Sequence, residues 1–214
     1  MKKIDIICII DKSGSMKSIA KDSIEGFNNF LNEQKSANYE ARLSLLLFNS
    51  YFQKLYDNID IQAIEPLNDK TYIPDNMTSL YDAIGMEIDS YLDKLSKTPK
   101  KKRSDKALFV ILTDGFENSS KTYHKELIKL MIEEMREEFD CEFIFLAANQ
   151  DACLQAETMG IPTSNVIFPV LLRLCLPFNY EATPDGITKA YAMASTATSY
   201  YVTNDVKENL FKTE

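Results

Sequence analysis

A chain of 214 residues, 45% hydrophobic and 26% charged, can bury a full α/β core without metal or disulfide staples, which excludes a staple-dependent miniprotein and a globally disordered chain. The formal net charge of -8 argues against whole-surface attraction to nucleic acid or an anionic membrane, and it is compatible with cation binding. The four cysteines, Cys8, Cys141, Cys153 and Cys175, form no CxxC pair and sit in or beside apolar runs; they read as reduced small hydrophobes, with one bridge as the alternative.

The first residues begin like a basic leader followed by an apolar stretch. Asp5 and Asp11 interrupt that stretch and no small-residue cleavage pattern follows, so Ile4 to Ile10 reads as a central strand covered on both faces. No segment approaches the roughly 20 apolar residues of a membrane span. A cytoplasmic protein with no membrane association is expected.

After the loop DKSGS, the positions Ile24, Phe27, Phe30 and Leu31 recur at helical spacing, which predicts a helix from Ser18 to Leu31. Residues 42–48 and 51–56 are strand-like runs separated by Asn49 and Ser50, a spacing that suits a hairpin and adds one antiparallel edge strand. A polar loop over 63–77 carries Pro66 and Pro74. Helical spacing resumes at Leu80, Ile84, Ile88, Tyr91, Leu92 and Leu95, with Ser79 and Asp82 in the pattern of a capping box.

A basic connector, 97–106, leads to the buried strand Ala107 to Thr113. The segment 122–139 places Leu127, Ile128, Met131, Ile132 and Met135 on one helical face, and its acids on a solvated one. Cys141 to Ala148 reads as a third buried strand, 151–159 as a short helix, 165–168 as a short strand, and Asp185 to Tyr201 as a last helix. The apolar stretch 169–183 is either an extra strand or a contact patch, and core packing is favoured. The order describes a single domain over 1–214: a doubly wound, mostly parallel α/β sheet with helices on both faces.

In such a sheet, ligands sit beyond the carboxyl ends of the parallel strands. Asp11, Ser13 and Ser15 follow the first strand, Thr78 opens the middle helix, and Asp114 ends the strand at Thr113, so three loops distant in sequence converge on one edge. Every side chain in this set offers oxygen, and none offers sulfur or imidazole. Such a site suits a hard ion such as magnesium, with manganese also accommodated and calcium less natural. The alternating spacing in DKSGS fits a loop wrapped around one ion, with Gly14 at a turn that a Cβ would obstruct. Each piece also has a bland reading, as helix cap, loop carboxylate or turn. The combination at consecutive strand ends favours the metal.

Asp11-Lys12-Ser13-Gly14-Ser15-Met16 resembles the DxSxS signature of the von Willebrand factor A family, in its common bacterial and intracellular DxSGSM form. Thr78 to Ile84 resembles the family's TxLYDAI segment, and Leu112 to Gly115 its TDG segment; the resemblance spans roughly residues 1–168. It implies a metal-ion-dependent adhesion site, or MIDAS. Ser13, Ser15 and Thr78 would supply hydroxyls, Asp11 and Asp114 would act partly through metal-bound water, and an Asp or Glu of an unknown protein partner would fill the open position. The family is mainly one of binding modules, so no enzyme activity is expected.

Asn76 stands where these proteins often have glycine, and Asn tolerates left-handed backbone. Partner contacts are expected at Phe116, Glu117, Asn118 and Ser119, or in 169–183. Two alternatives come from other classes. A phosphotransferase of the haloacid-dehalogenase type also places an Asp after its first strand, but it needs a second carboxylate where this chain has Ser13. A nucleic-acid binder would use the basic residues of 99–103.

Overall fold

The structure, a computed structural model, describes residues 1–114, 116–148, 159, 175–180 and 183–203. The expected short helix at 151–159, apart from Met159, and the expected strand at 165–168 lie outside these residues.

Strand β1 (Lys3–Asp11) pairs in parallel with β2 (Glu40–Phe48) on one side and with β4 (Lys106–Thr113) on the other. β3 (Phe52–Asp60) returns antiparallel to β2, while β5 (Cys141–Ala148) and β6 (Cys175–Tyr180) continue the parallel sheet beyond β4. The order is β3-β2-β1-β4-β5-β6. Part of the apolar 169–183 stretch is therefore β6.

The chain progresses outward from β1 in one direction through β2 and β3, and in the other from β4 through β5 and β6. The direction switches between β1 and β4, which is where a doubly wound sheet opens a crevice.

Alternation along β1 divides the core into two layers. Ile4, Ile6, Cys8 and Ile10 pack with helix α1 (Ala20–Ser36) and with α4 (Pro184–Thr203), the last helix among the described residues. Ile7 and Ile9 face helices α2 (Leu80–Lys97) and α3 (Lys125–Glu138), where Ile84, Ile88, Ile128 and Ile132 are fully buried. Each such side chain contributes about 1.5–3 kcal/mol relative to exposure.

Charge is also used in the second layer. Asp5 meets Lys94 of α2 at 2.9 Å, and Glu87 of α2 meets Lys54 of β3 at 2.6 Å, so α2 is fastened to the sheet at two points along its length. The basic segment forms an exposed turn at Lys100–Lys102, at the amino end of β4 and opposite the edge where the three loops converge.

Several boundaries move relative to the sequence reading. A 3-10 turn over Gly14–Ile19 precedes α1, which runs on to Ser36. β3 extends to Asp60 despite its polar composition, because an edge strand exposes much of its surface; Asn58 takes a positive φ of 53° there. The segment after β3 is anchored by buried Ile61, Ile64, Leu67 and Tyr72 and so is more than a polar loop.

Candidate metal centre

The register of β1 against β4, with Ile10 opposite Leu112, brings Asp11 level with Thr113 at the switch point. Thr113 Oγ1 donates to Asp11 Oδ2 at 2.6 Å, and the Ser13 amide donates to Asp11 Oδ1 at 2.6 Å. The second bond closes an Asx turn, in which an aspartate side chain takes over a role of the backbone. Asp11 is fully buried, and it has no ion pair among the described residues.

A chain of oxygens runs outward from this turn. Ser13 Oγ lies 3.0 Å from Ser15 Oγ, and Ser15 Oγ donates to Asp114 Oδ1 at 2.6 Å. Ser15 sits inside the 3-10 turn, so its hydroxyl serves Asp114 and does not cap α1. Four of the five expected ligands are thereby joined in one hydrogen-bonded group.

The fifth, Thr78, is buried, and its hydroxyl stands outside that chain of bonds. Its segment is held to the other two loops by backbone. The Gly14 amide donates to the Asn76 carbonyl at 2.9 Å and the Asp75 amide to the Lys12 carbonyl at 2.9 Å. A Cβ on Gly14 would lie 3.3 Å from that same Asn76 oxygen, which explains a glycine here. Asn76 has φ 64°, the left-handed geometry that Asn tolerates.

On its other side, the Thr78 amide donates to Asn118 Oδ1 at 2.9 Å, and the Thr78 carbonyl accepts from the amides of Asn118 and Ser119. Ser79 does not form the expected capping box with Asp82. Its Oγ pairs with Ser119 Oγ at 2.7 Å, and the start of α2 is capped from outside. The Tyr81 amide donates to Glu117 Oε2 at 2.9 Å and the Asp82 amide to Ser120 Oγ at 3.0 Å. Glu117 Oε1 also accepts from the amides of Ser119 and Ser120.

Asp82 turns instead toward the loop, accepting from the amides of Lys121, Thr122 and Tyr123. Phe116, next to this network, is largely exposed. Glu117, Asn118 and Ser119 thus hold the loop's shape while Phe116 faces solvent. The chain's one histidine, His124, accepts from the Leu127 amide and caps α3.

Burial dominates the electrostatics. It pushes the Asp11 carboxyl up to about 6, against the opposing pull of its Thr113 and Ser13 donors, and the charge of Asp114 adds to the rise. Burial raises Asp114 as well. Two carboxylates held in a partly dry pocket and surrounded by hydroxyls are costly to ionise together, and a divalent cation removes that cost. The donor set fits a hard ion: it is all oxygen, with few charges. Among the described residues, no group of three or more His, Cys, Asp or Glu forms a site of another kind.

Sequence reasoning does not single out two supporting residues. Thr113 sits in the strand-end run LTDG, where its hydroxyl was a usable signal. Tyr72, whose hydroxyl donates to the Asp11 carbonyl at 2.5 Å, gives none, because its position 61 residues away is set by the path of the chain after β3.

The family model for the von Willebrand factor type A domain matches residues 5–168. Among curated proteins, no sequence relative is found. Solved structures share the fold at low identity. Manganese-loaded TRAP protein of Plasmodium vivax aligns with 17% identity and a TM-score of 0.61, over 94% of this chain and 74% of that one. Proximal thread matrix protein 1 of the mussel byssus, with a zinc-occupied MIDAS motif, aligns with 14% identity and a TM-score of 0.58, over 92% of this chain and 46% of that one. A von Willebrand factor type A structure from Catenulispora acidiphila gives 12% identity and 0.54, over 92% and 42%. The chain thus spans less than half the length of two of these three structures.

Proposed function

The chain belongs to the von Willebrand factor type A domain family, and on that premise we propose that it is a protein-binding module whose bound divalent cation is completed by an acidic side chain of its partner. Asp11, Ser13, Ser15, Thr78 and Asp114 would hold the ion, magnesium or manganese. The ion would supply Lewis acidity toward the partner's carboxylate.

The observation that carries this reading is the buried Asp11 carboxylate, without a basic partner among the described residues, at one end of a hydrogen-bonded group that runs through the Ser13 amide and the Ser13 and Ser15 hydroxyls to Asp114. Burial makes Asp11 and Asp114 costly to ionise together, and a bound cation would relieve that cost. The fold shared with the manganese-loaded and zinc-occupied proteins adds support.

The protein's own groups divide the work. Thr113 and the Ser13 amide orient Asp11, Asn118 positions the Thr78 segment, and Phe116 meets the partner while Glu117 and Ser119 keep its loop in place. A binding module is favoured over an enzyme because Ser13 stands where a phosphotransferase needs a carboxylate and His124 is engaged as a helix cap. The free, buried Cys8 and Cys141 fit a reducing, cytoplasmic setting. No helix of the described residues is long and apolar enough to cross a membrane.

Capture from source-cell lysate tests the proposal, using wild type and Asp11→Ala, each in magnesium and in chelator. A partner retained only by wild type in magnesium is the expected result. Equal retention in all four conditions would place the interaction elsewhere and overturn the metal-dependent mechanism.

A further inference from the structure

Large apolar side chains left in water are normally scattered singly. Among the described residues, Met1 ahead of β1, and Ile59, Met86, Leu130 and Met193, one on each of β3, α2, α3 and α4, follow that pattern. Tyr51, Ile73, Met77 and Phe116 do not. They are 71%, 61%, 53% and 56% exposed, and all stand on loops at the carboxyl edge of the sheet, around the oxygen cluster.

These loops form one platform. Asn49 Nδ2 donates to the Asp75 carbonyl at 2.8 Å, the Ser79 amide donates to the Asn49 carbonyl at 3.3 Å, and the Met77 amide donates to Ser50 Oγ at 3.3 Å. Tyr51 and Met77 are therefore carried side by side. Phe116 lies on the other flank, two residues before Asn118, which grips Thr78. Ile73 lies between Tyr72, bonded to the Asp11 carbonyl, and Asp75, whose amide is bonded to Lys12. Hydrogen bonds from backbone and polar side chains already hold this platform, so its largely exposed apolar side chains add little to the fold.

We propose that this apolar rim recognises a partner segment in which the metal-binding Asp or Glu is flanked by bulky aliphatic or aromatic side chains. The inference rests on the cation reading above, and charge complementarity fixes the occupant: a cation at the centre calls for a carboxylate, while the surrounding rim offers that carboxylate's neighbours only apolar contact. Apolar flanks would also exclude water from the carboxylate and cation, and their attraction strengthens as the local dielectric falls. A polar acidic segment would leave the rim wet and forgo that gain.

The test uses immobilised synthetic peptides with a central Glu, flanked either by Leu and Phe or by Ser and Gly, plus the Leu and Phe peptide with Gln at the centre. They are probed with wild type and with the double variant Tyr51→Ser, Met77→Ser in magnesium and in chelator. Wild type in magnesium should prefer the apolar-flanked Glu peptide by about tenfold or more, and the double variant should lose that preference. Equal binding of the two Glu peptides, no binding of either, or binding of the Gln peptide unaffected by chelator would each overturn the proposal. Calorimetric titration of wild type with magnesium alone separates the two failures: saturable uptake leaves the metal reading intact, and no uptake removes it.

Discussion

Asp82 gives a graded perturbation. It is buried, and its carboxylate accepts three backbone amides of the loop before α3: Lys121 on Oδ2 at 2.8 Å, with Thr122 and Tyr123 on Oδ1 at 2.9 and 2.8 Å. Hydrogen bonds to a charged group contribute about 1.5–3 kcal/mol each. Asp82→Ala removes all three, together with a favourable acid in the first turn of α2. Because the freed loop swings toward water and its amides rehydrate, the loss falls short of the full sum, at about 3–4 kcal/mol. Asp82→Asn keeps one oxygen for Thr122 and Tyr123 but sets an amide group against the Lys121 donor, for a loss of about 1.5–3 kcal/mol. Equilibrium urea unfolding followed by circular dichroism measures both, with the m-value reporting whether the native state stays compact. An alanine cost under about 1 kcal/mol, or no difference between the two variants, would refute the reasoning.

Thr113→Val leaves Asp11 Oδ2 without its hydroxyl donor, and magnesium affinity measured by calorimetry should fall about 10- to 100-fold, as for lost supporting contacts elsewhere. With Asp11 raised to about 6, protons compete with the cation, so affinity should drop as pH falls from 7 to 5. The sign for folding is opposite: a carboxyl that holds its proton more tightly when folded makes the metal-free protein lose stability as pH rises from about 4 through about 6. The gap from the ordinary 3.8 amounts to about 3 kcal/mol, and melting curves with and without magnesium across that range check it. Lys54→Ala strands the buried Glu87 and should destabilise by about 2–3 kcal/mol in urea, whereas Lys54→Met combined with Glu87→Leu should cost less than the single change.

The parts of the fold legible in the sequence are those whose cause is local. The aliphatic runs of β1, β4 and β5 announce strands buried on both faces, and Ile84, Ile88, Ile128 and Ile132 announce helices by their spacing. Asp11, Ser13, Ser15 and Asp114 could be gathered because strand ends in a doubly wound sheet share an edge. What stayed hidden depends on tertiary partners. Ser79 and Asp82 have the spacing of a capping box, yet amides from residues 121–123 outcompete the local one, and Glu117 supplies the cap across 36 residues. Tyr72 and Lys54 act through contacts that no periodicity encodes. β3 runs beyond its apolar residues to Asp60 because an edge strand with one open side does not need the apolar alternation that marks a covered one.

Calorimetric titration of magnesium chloride into wild type and Asp11→Ala, with melting curves confirming that both are folded, bears most directly on the oxygen cluster as a cation site. One saturable site in wild type, absent from Asp11→Ala, is the predicted result. No uptake by wild type, or the same uptake by both proteins, would contradict a divalent-cation site built on Asp11, Ser13, Ser15, Thr78 and Asp114.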